Sequence, residues 1–155
     1  MHRLAQQHHD LAVVQLVETP YDLQGRNIVC YPNLLLLFEI EVPRLFLQPR
    51  TVYSAVTVDL VKGDAARSNM FPESADIEIS TAALIPRLVT DAAAIEAARK
   101  LVLRWLRHKY KVYKPPRIDV VKQQEVYKAF FYTQNHKGED ILVDSVRGIK
   151  LLDND

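Results

Sequence analysis

The chain has 155 residues, of which 48% are hydrophobic and 25% charged, the balance of one globular domain able to bury about two-thirds of its unfolded surface. Four glycines, with neither G-x-G-x-x-G nor G-x-x-x-x-G-K-[ST], exclude a Gly-rich phosphate cradle, and the one cysteine, Cys30, excludes an internal disulfide. The net charge of +1 predicts no partner by itself, but residues 99–122 hold nine basic groups against the single acid Asp119, so the remainder is acidic overall.

Residues 1–10 are polar and rich in His and Gln, a tail with no apolar core of signal-peptide length. The longest apolar run, from Leu34 to Phe38, is far shorter than the about 20 residues of a membrane span. Together these predict a cytoplasmic protein. Residues 12–18 alternate and are rich in Val, the pattern of a strand. Pro20, Asp22, Gly25 and Asn27 mark 19–27 as a turn region. Two strands are expected next, 28–31 and 34–42. The second places Leu34, Leu36, Phe38, Ile40 and Val42 on one face and Glu39 and Glu41 on the other.

Pro43 and Pro49 bracket Arg44-Leu45-Phe46-Leu47-Gln48. Proline donates no ladder hydrogen bond, so this segment is a bulged edge or a loop. Residues 51–60 are β-branched and aromatic and predict a strand. Val61-Lys62-Gly63-Asp64 turns the chain, 65–69 returns it, 70–75 is a loop and 76–80 a short strand. Thr90 or Asp91 caps a helix over 92–110, free of Gly and Pro and dense in Ala, Leu, Arg and Lys. Ile95, Ala98, Leu101, Val102, Trp105 and Leu106 form its apolar stripe, with Lys100, Arg104, Arg107 and Lys111 opposite. Pro115 and Pro116 end it. The remainder reads as an antiparallel meander: strands at 118–122, 125–133, 141–144 and 149–152, with turns at 135–140 and 145–148. The expected fold is α+β, one main amphipathic helix packed on antiparallel sheet in a single domain, 1–155. Strands and helices do not alternate, so a doubly wound parallel sheet is not expected.

A unit V-D-x-V-x-G occurs twice, as Val58-Asp59-Leu60-Val61-Lys62-Gly63 and Val143-Asp144-Ser145-Val146-Arg147-Gly148. It suggests a duplicated strand module, with pseudo-repeats over 11–69 and 90–152. The Ala-rich helix opening at Thr90-Asp91-Ala92-Ala93-Ala94, followed by strands that end on Val143-Asp144-Ser145-Val146-Arg147-Gly148, resembles PepSY-type domains. Arg147 stands where that family usually has Thr. The resemblance implies a binding or inhibitory module rather than an enzyme.

Asp59 and Asp144 suggest paired catalytic carboxylates, but each precedes a turn closing on Gly63 or Gly148, where an Asp side chain bonds nearby amides. The five histidines, His2, His8, His9, His108 and His136, form no H-E-x-x-H, and no C-x-x-C or G-x-S-x-G is present. Hence no cofactor and no metal are expected, and no catalytic residue is named. Two binding candidates remain. In the basic segment, Arg104, Arg107, Lys111 and Lys114 are interleaved with Trp105, Tyr110 and Tyr113, a composition suited to phosphate contact and base stacking, or else to a solvated helix face. The second is Arg44, Leu45, Phe46 and Leu47, either an exposed tip that enters a partner or a flap folded over an open sheet end. The leading reading is a non-catalytic protein-binding or regulatory module that engages a protein or itself. A nucleic-acid-associated protein using 99–117 and a small enzyme of unassigned chemistry are the alternatives.

Overall fold

A computed structural model describes residues 10–110 and 114–146. The fold is α+β, with one α-helix and a mostly antiparallel seven-stranded sheet among the described residues. The strands are β1 (Leu11–Val17), β2 (Ile28–Arg44), β3 (Leu47–Asp59), β4 (Ala65–Ser68), β5 (Ser74–Ser80), β6 (Arg117–Gln134) and β7 (Asp140–Asp144), and the helix is α1 (Asp91–Lys109). The strand order is β4-β3-β2-β6-β1-β5, with β7 paired to β6. Two compact units share the chain. One comprises Asn33–Pro72 and Arg87–Glu125; the other comprises Glu73–Pro86 with the described parts of Met1–Pro32 and Val126–Asp155. One copy of the V-D-x-V motif falls in each.

In the first unit α1 lies over β3 and β4. Thr90 caps the helix by accepting the Ala93 amide, at 3.2 Å. Its buried stripe runs Ala94, Ala98, Val102, Leu106, with Ile95, Leu101 and Trp105 half-buried beside it. The stripe meets the alternating face of β2 (Leu34, Leu36, Phe38, Ile40, Val42) and Val56, Val58 and Leu60, all fully or nearly fully buried. Period 2 on the strand and period 3.6 on the helix thus converge on one core.

In the second unit β1 pairs antiparallel with β5, from Leu11↔Ser80 to Val17↔Ser74. Leu16, Cys30, Ile79 and Ala129 form its core. A further cluster, Phe131, Ile141 and Val143, lies where β6 pairs with β7. Tyr21 meets the Phe131 ring edge-on at 5.2 Å, and Arg26 lies 4.2 Å from the same ring.

Two sequence expectations are corrected. The separate strands 28–31 and 34–42 are one strand, β2, that passes through Pro32 and Pro43. Pro32 immediately precedes the first β2–β3 pair, Asn33↔Asp59, and so interrupts no ladder to β3. Pro43 lies at a register shift: Val42 faces Arg50 and Arg44 faces Leu47, leaving Gln48 and Pro49 opposite Pro43 alone. Pro43 and Pro49 therefore occupy a bulge, where a missing donor costs little. Similarly, the expected strands 118–122 and 125–133 are one strand, β6, so the chain does not turn back at Gln123-Gln124. That polar stretch reads as a break, but low β propensity is a weak preference and the strand continues through it. The expected last strand, 149–152, lies outside the described residues.

Candidate functional site

β2 and β3 are joined by only Leu45 and Phe46, since Arg44 pairs with Leu47. A two-residue hairpin connection needs positive φ at one or both central positions, usually supplied by Gly or Asn. Here Phe46 takes it, at φ 64, the one non-glycine residue with positive φ among those described. Phe46 is 96% exposed, and Leu45 and Leu47 are each 64% exposed. The segment between the prolines is thus an exposed hairpin tip, not a flap over the sheet.

The base of the tip is polar and mainly cationic. Arg44 Nε donates to the Gln48 carbonyl at 2.8 Å, which holds the side chain against the bulge. Arg50, on the outgoing strand, lies 5.5 Å from the centre of the Tyr110 ring, and Lys109 lies 5.9 Å from the same ring. One open cleft of about 480 Å³ is bounded by Val42, Pro43, Leu45, Leu47, Arg50 and Tyr110. A second, of about 350 Å³, lies among Glu41, Arg44, Pro49, Lys114, Pro115 and Arg117. Arg117 Nε bonds Asp119 at 2.9 Å. The structure therefore brings Arg44, Leu45, Phe46 and Leu47 together with Lys114 and the C-terminal end of the basic helix. Sequence distance separates these groups by about 60 residues, and nothing in their local pattern links them.

Arg104 and Arg107 are exposed on α1, but neither lines a cleft at the tip. Lys111 and Tyr113 lie outside the described residues. Trp105 is half-buried, with Arg67 lying 3.7 Å and Lys109 5.4 Å from its ring centre and Tyr110 edge-on at 6.1 Å. Its ring is engaged within the protein, which weakens base stacking as its role.

The two aspartates are committed to turns. Asp59 Oδ1 accepts the amides of Val61 and Lys62, at 2.7 and 3.2 Å, and Gly63 takes φ 84. Asp144 Oδ1 accepts the Val146 amide at 2.9 Å, while Oδ2 lies 3.5 Å from Lys128 Nζ. Ser145 is held by Ala129: both its amide and Oγ donate to that carbonyl. Gly148 lies outside the described residues. The Cys30 thiol is buried, and burial pushes it up to about 11. That disfavours the thiolate needed for nucleophilic or redox chemistry.

Among the described residues no group of three or more His, Cys, Asp and Glu side chains is placed to hold a metal ion. No described helix is long and apolar enough to cross a membrane. No family model matches the chain, and no curated protein or solved structure matches it.

Proposed function

We propose that the protein is a non-catalytic binding module whose contact element is the β2–β3 hairpin tip, Leu45-Phe46-Leu47, together with the basic residues at its base. The observation that carries this is Phe46. A large aromatic side chain sits almost fully in solvent, on a backbone conformation that costs a non-glycine residue roughly 1 kcal/mol. Neither feature helps the fold, and strain of this kind clusters at clamps and binding loops. The PepSY-like pattern of residues 90–152 leans the same way, toward binding rather than catalysis. A cytoplasmic setting, which the lone buried thiol suits, belongs to the same reading.

The test is site-specific photocrosslinking in the cells that make the protein. A photoactivatable phenylalanine analogue at position 46 is expected to form adducts that the same analogue at Met70 does not; Met70 is also well exposed, at 73%, but belongs to no such cluster. Equal yields at the two positions would sink the assignment of the tip as the contact element.

A further inference from the structure

We propose that the tip inserts into the surface of an anionic lipid bilayer. This rests on the reading of Leu45-Phe46-Leu47 as the contact element and names what that element contacts.

Polarity along the hairpin follows the order of layers in a membrane surface. The outermost residues are Leu, Phe and Leu, all exposed. Cations come next: Arg44 directly behind the turn, and Arg50 three residues behind Leu47, a setback of about 10 Å along a strand. Tyr110, Lys109, Lys114 and Arg117 border the same two clefts or rings. An apolar group buried about 5–10 Å at the headgroup–acyl boundary, with cations at headgroup level, is the arrangement by which peripheral segments bind. Tyrosine is also suited to that boundary layer.

The charge balance favours an anionic surface. Among the described residues at the base of the tip, Arg44, Arg50, Lys114 and Arg117, with Lys109 beside the Tyr110 ring, stand against two carboxylates, Glu41 in the second cleft and Asp119 on Arg117. Each Lys or Arg near an anionic bilayer adds a favourable term that salt screens. A protein partner is the weaker fit, because three side chains on a convex tip offer far less than the about 800 Å² that each side of a stable protein interface buries. Nucleic acid is weaker still. The tip offers one ring, Phe46, between two leucines, where single-strand binding sets several rings along a basic groove, and Trp105 already carries Arg67.

The experiment is co-flotation of the full chain with vesicles of phosphatidylcholine alone or with about 30% phosphatidylserine, at low and at physiological salt. The wild type is expected to float with the anionic vesicles, with partitioning about tenfold or more lower on neutral ones. Combining Leu45→Ser with Phe46→Gly is expected to lower it a further tenfold or so on the anionic vesicles, with the circular dichroism unchanged. In Phe46→Trp, emission should be quenched by lipids brominated on their acyl chains, beyond any quenching of Trp105 in the wild type.

Binding to anionic vesicles that survives the double substitution would overturn the proposal, leaving surface attraction alone. So would a dimer in sedimentation that the double substitution dissolves, which would make a second copy the occupant. Protein adducts at position 46 without vesicle binding would overturn the lipid assignment but leave the tip as contact element. Absence of both vesicle binding and position-46 adducts would remove both.

Discussion

The Arg67 guanidinium lies over the indole of Trp105, 3.7 Å from the ring centre. Arg67 is on β4 and Trp105 on α1, so this contact ties the edge strand to the helix. Arg67 Nε also donates to Ser54 Oγ on β3 at 3.2 Å, and burial lowers its pKa from the ordinary value. Its role is therefore partly packing, beside the ladder that pairs all four residues of β4 with β3. Arg67→Ala is expected to destabilise the protein by about 0.5–1 kcal/mol in urea unfolding and to shift Trp105 emission to the red. Arg67→Lys should recover part of the loss, because a cation is kept but the flat stacked group is not. Unchanged emission in Arg67→Ala would show that the pair is not formed in solution.

Asp59 and Asp144 occupy matching places in the repeated motif but differ in burial. Asp144 is only 5% exposed and pairs with a largely buried Lys128, whereas among the described residues the Asp59 carboxylate accepts amides of its own turn, Val61 and Lys62. Removing one member of a buried pair leaves the other charge uncompensated; removing a half-exposed turn acceptor loses one or two hydrogen bonds. Asp144→Ala is thus expected to cost about 3 kcal/mol and Asp59→Ala about 1 kcal/mol by the same unfolding measurement. Adding Lys128→Met to Asp144→Ala should restore part of the larger loss. Equal costs for the two aspartates would remove the distinction.

These cases mark what local pattern reveals. The helix was legible because period 3.6, a Thr cap and a double proline agree over 91–109. Alternation likewise located the core face of β2, because one side packs on the helix. Strand continuity was not legible. Lys122-Gln123-Gln124-Glu125 carries no strand signal, yet β6 runs through it without a break. The hairpin at Leu45-Phe46 was equally hidden, since it lacks the Asn or Gly that announces a two-residue turn. Its prolines located the bulge but not the reversal. The apolar and basic halves of the candidate site were each visible in the chain. Their meeting, through Arg50 and Tyr110, is a tertiary contact that no local pattern encodes.

Phe46 offers a substitution that separates stability from binding. At φ 64 a Cβ crowds the backbone, and glycine alone is free of that penalty. The residue, 96% exposed, contributes almost no burial in return. Phe46→Gly is therefore expected to leave stability unchanged or raise it by up to about 1 kcal/mol, the relief of strain being offset in part by the greater freedom of glycine in the unfolded chain. Phe46→Ala keeps the Cβ and should show no such gain. A loss above about 2 kcal/mol in Phe46→Gly would mean that the ring packs within the protein.

Cys30 gives a pH signature. The thiol is fully buried, beside the bridge to Leu84, and its pKa is pushed up from 9.0 to about 11. Between those values the unfolded chain has released the proton while the folded chain still holds it. The unfolded state then binds fewer protons, so stability falls as pH rises. The thiol's contribution is complete below pH 9, and by about pH 11 roughly 2 kcal/mol of it is gone. Lysines and tyrosines titrate in the same range, so the comparison is with Cys30→Ala. That variant has a lower baseline from the lost sulfur but should lose less stability between about pH 8 and about pH 11, the window set by the two pKa values. A thiol reagent at pH 8 should label the native wild type only at the rate of unfolding, and the denatured chain at once. Parallel pH profiles for the two proteins, or rapid labelling of the native one, would show that Cys30 is open to solvent.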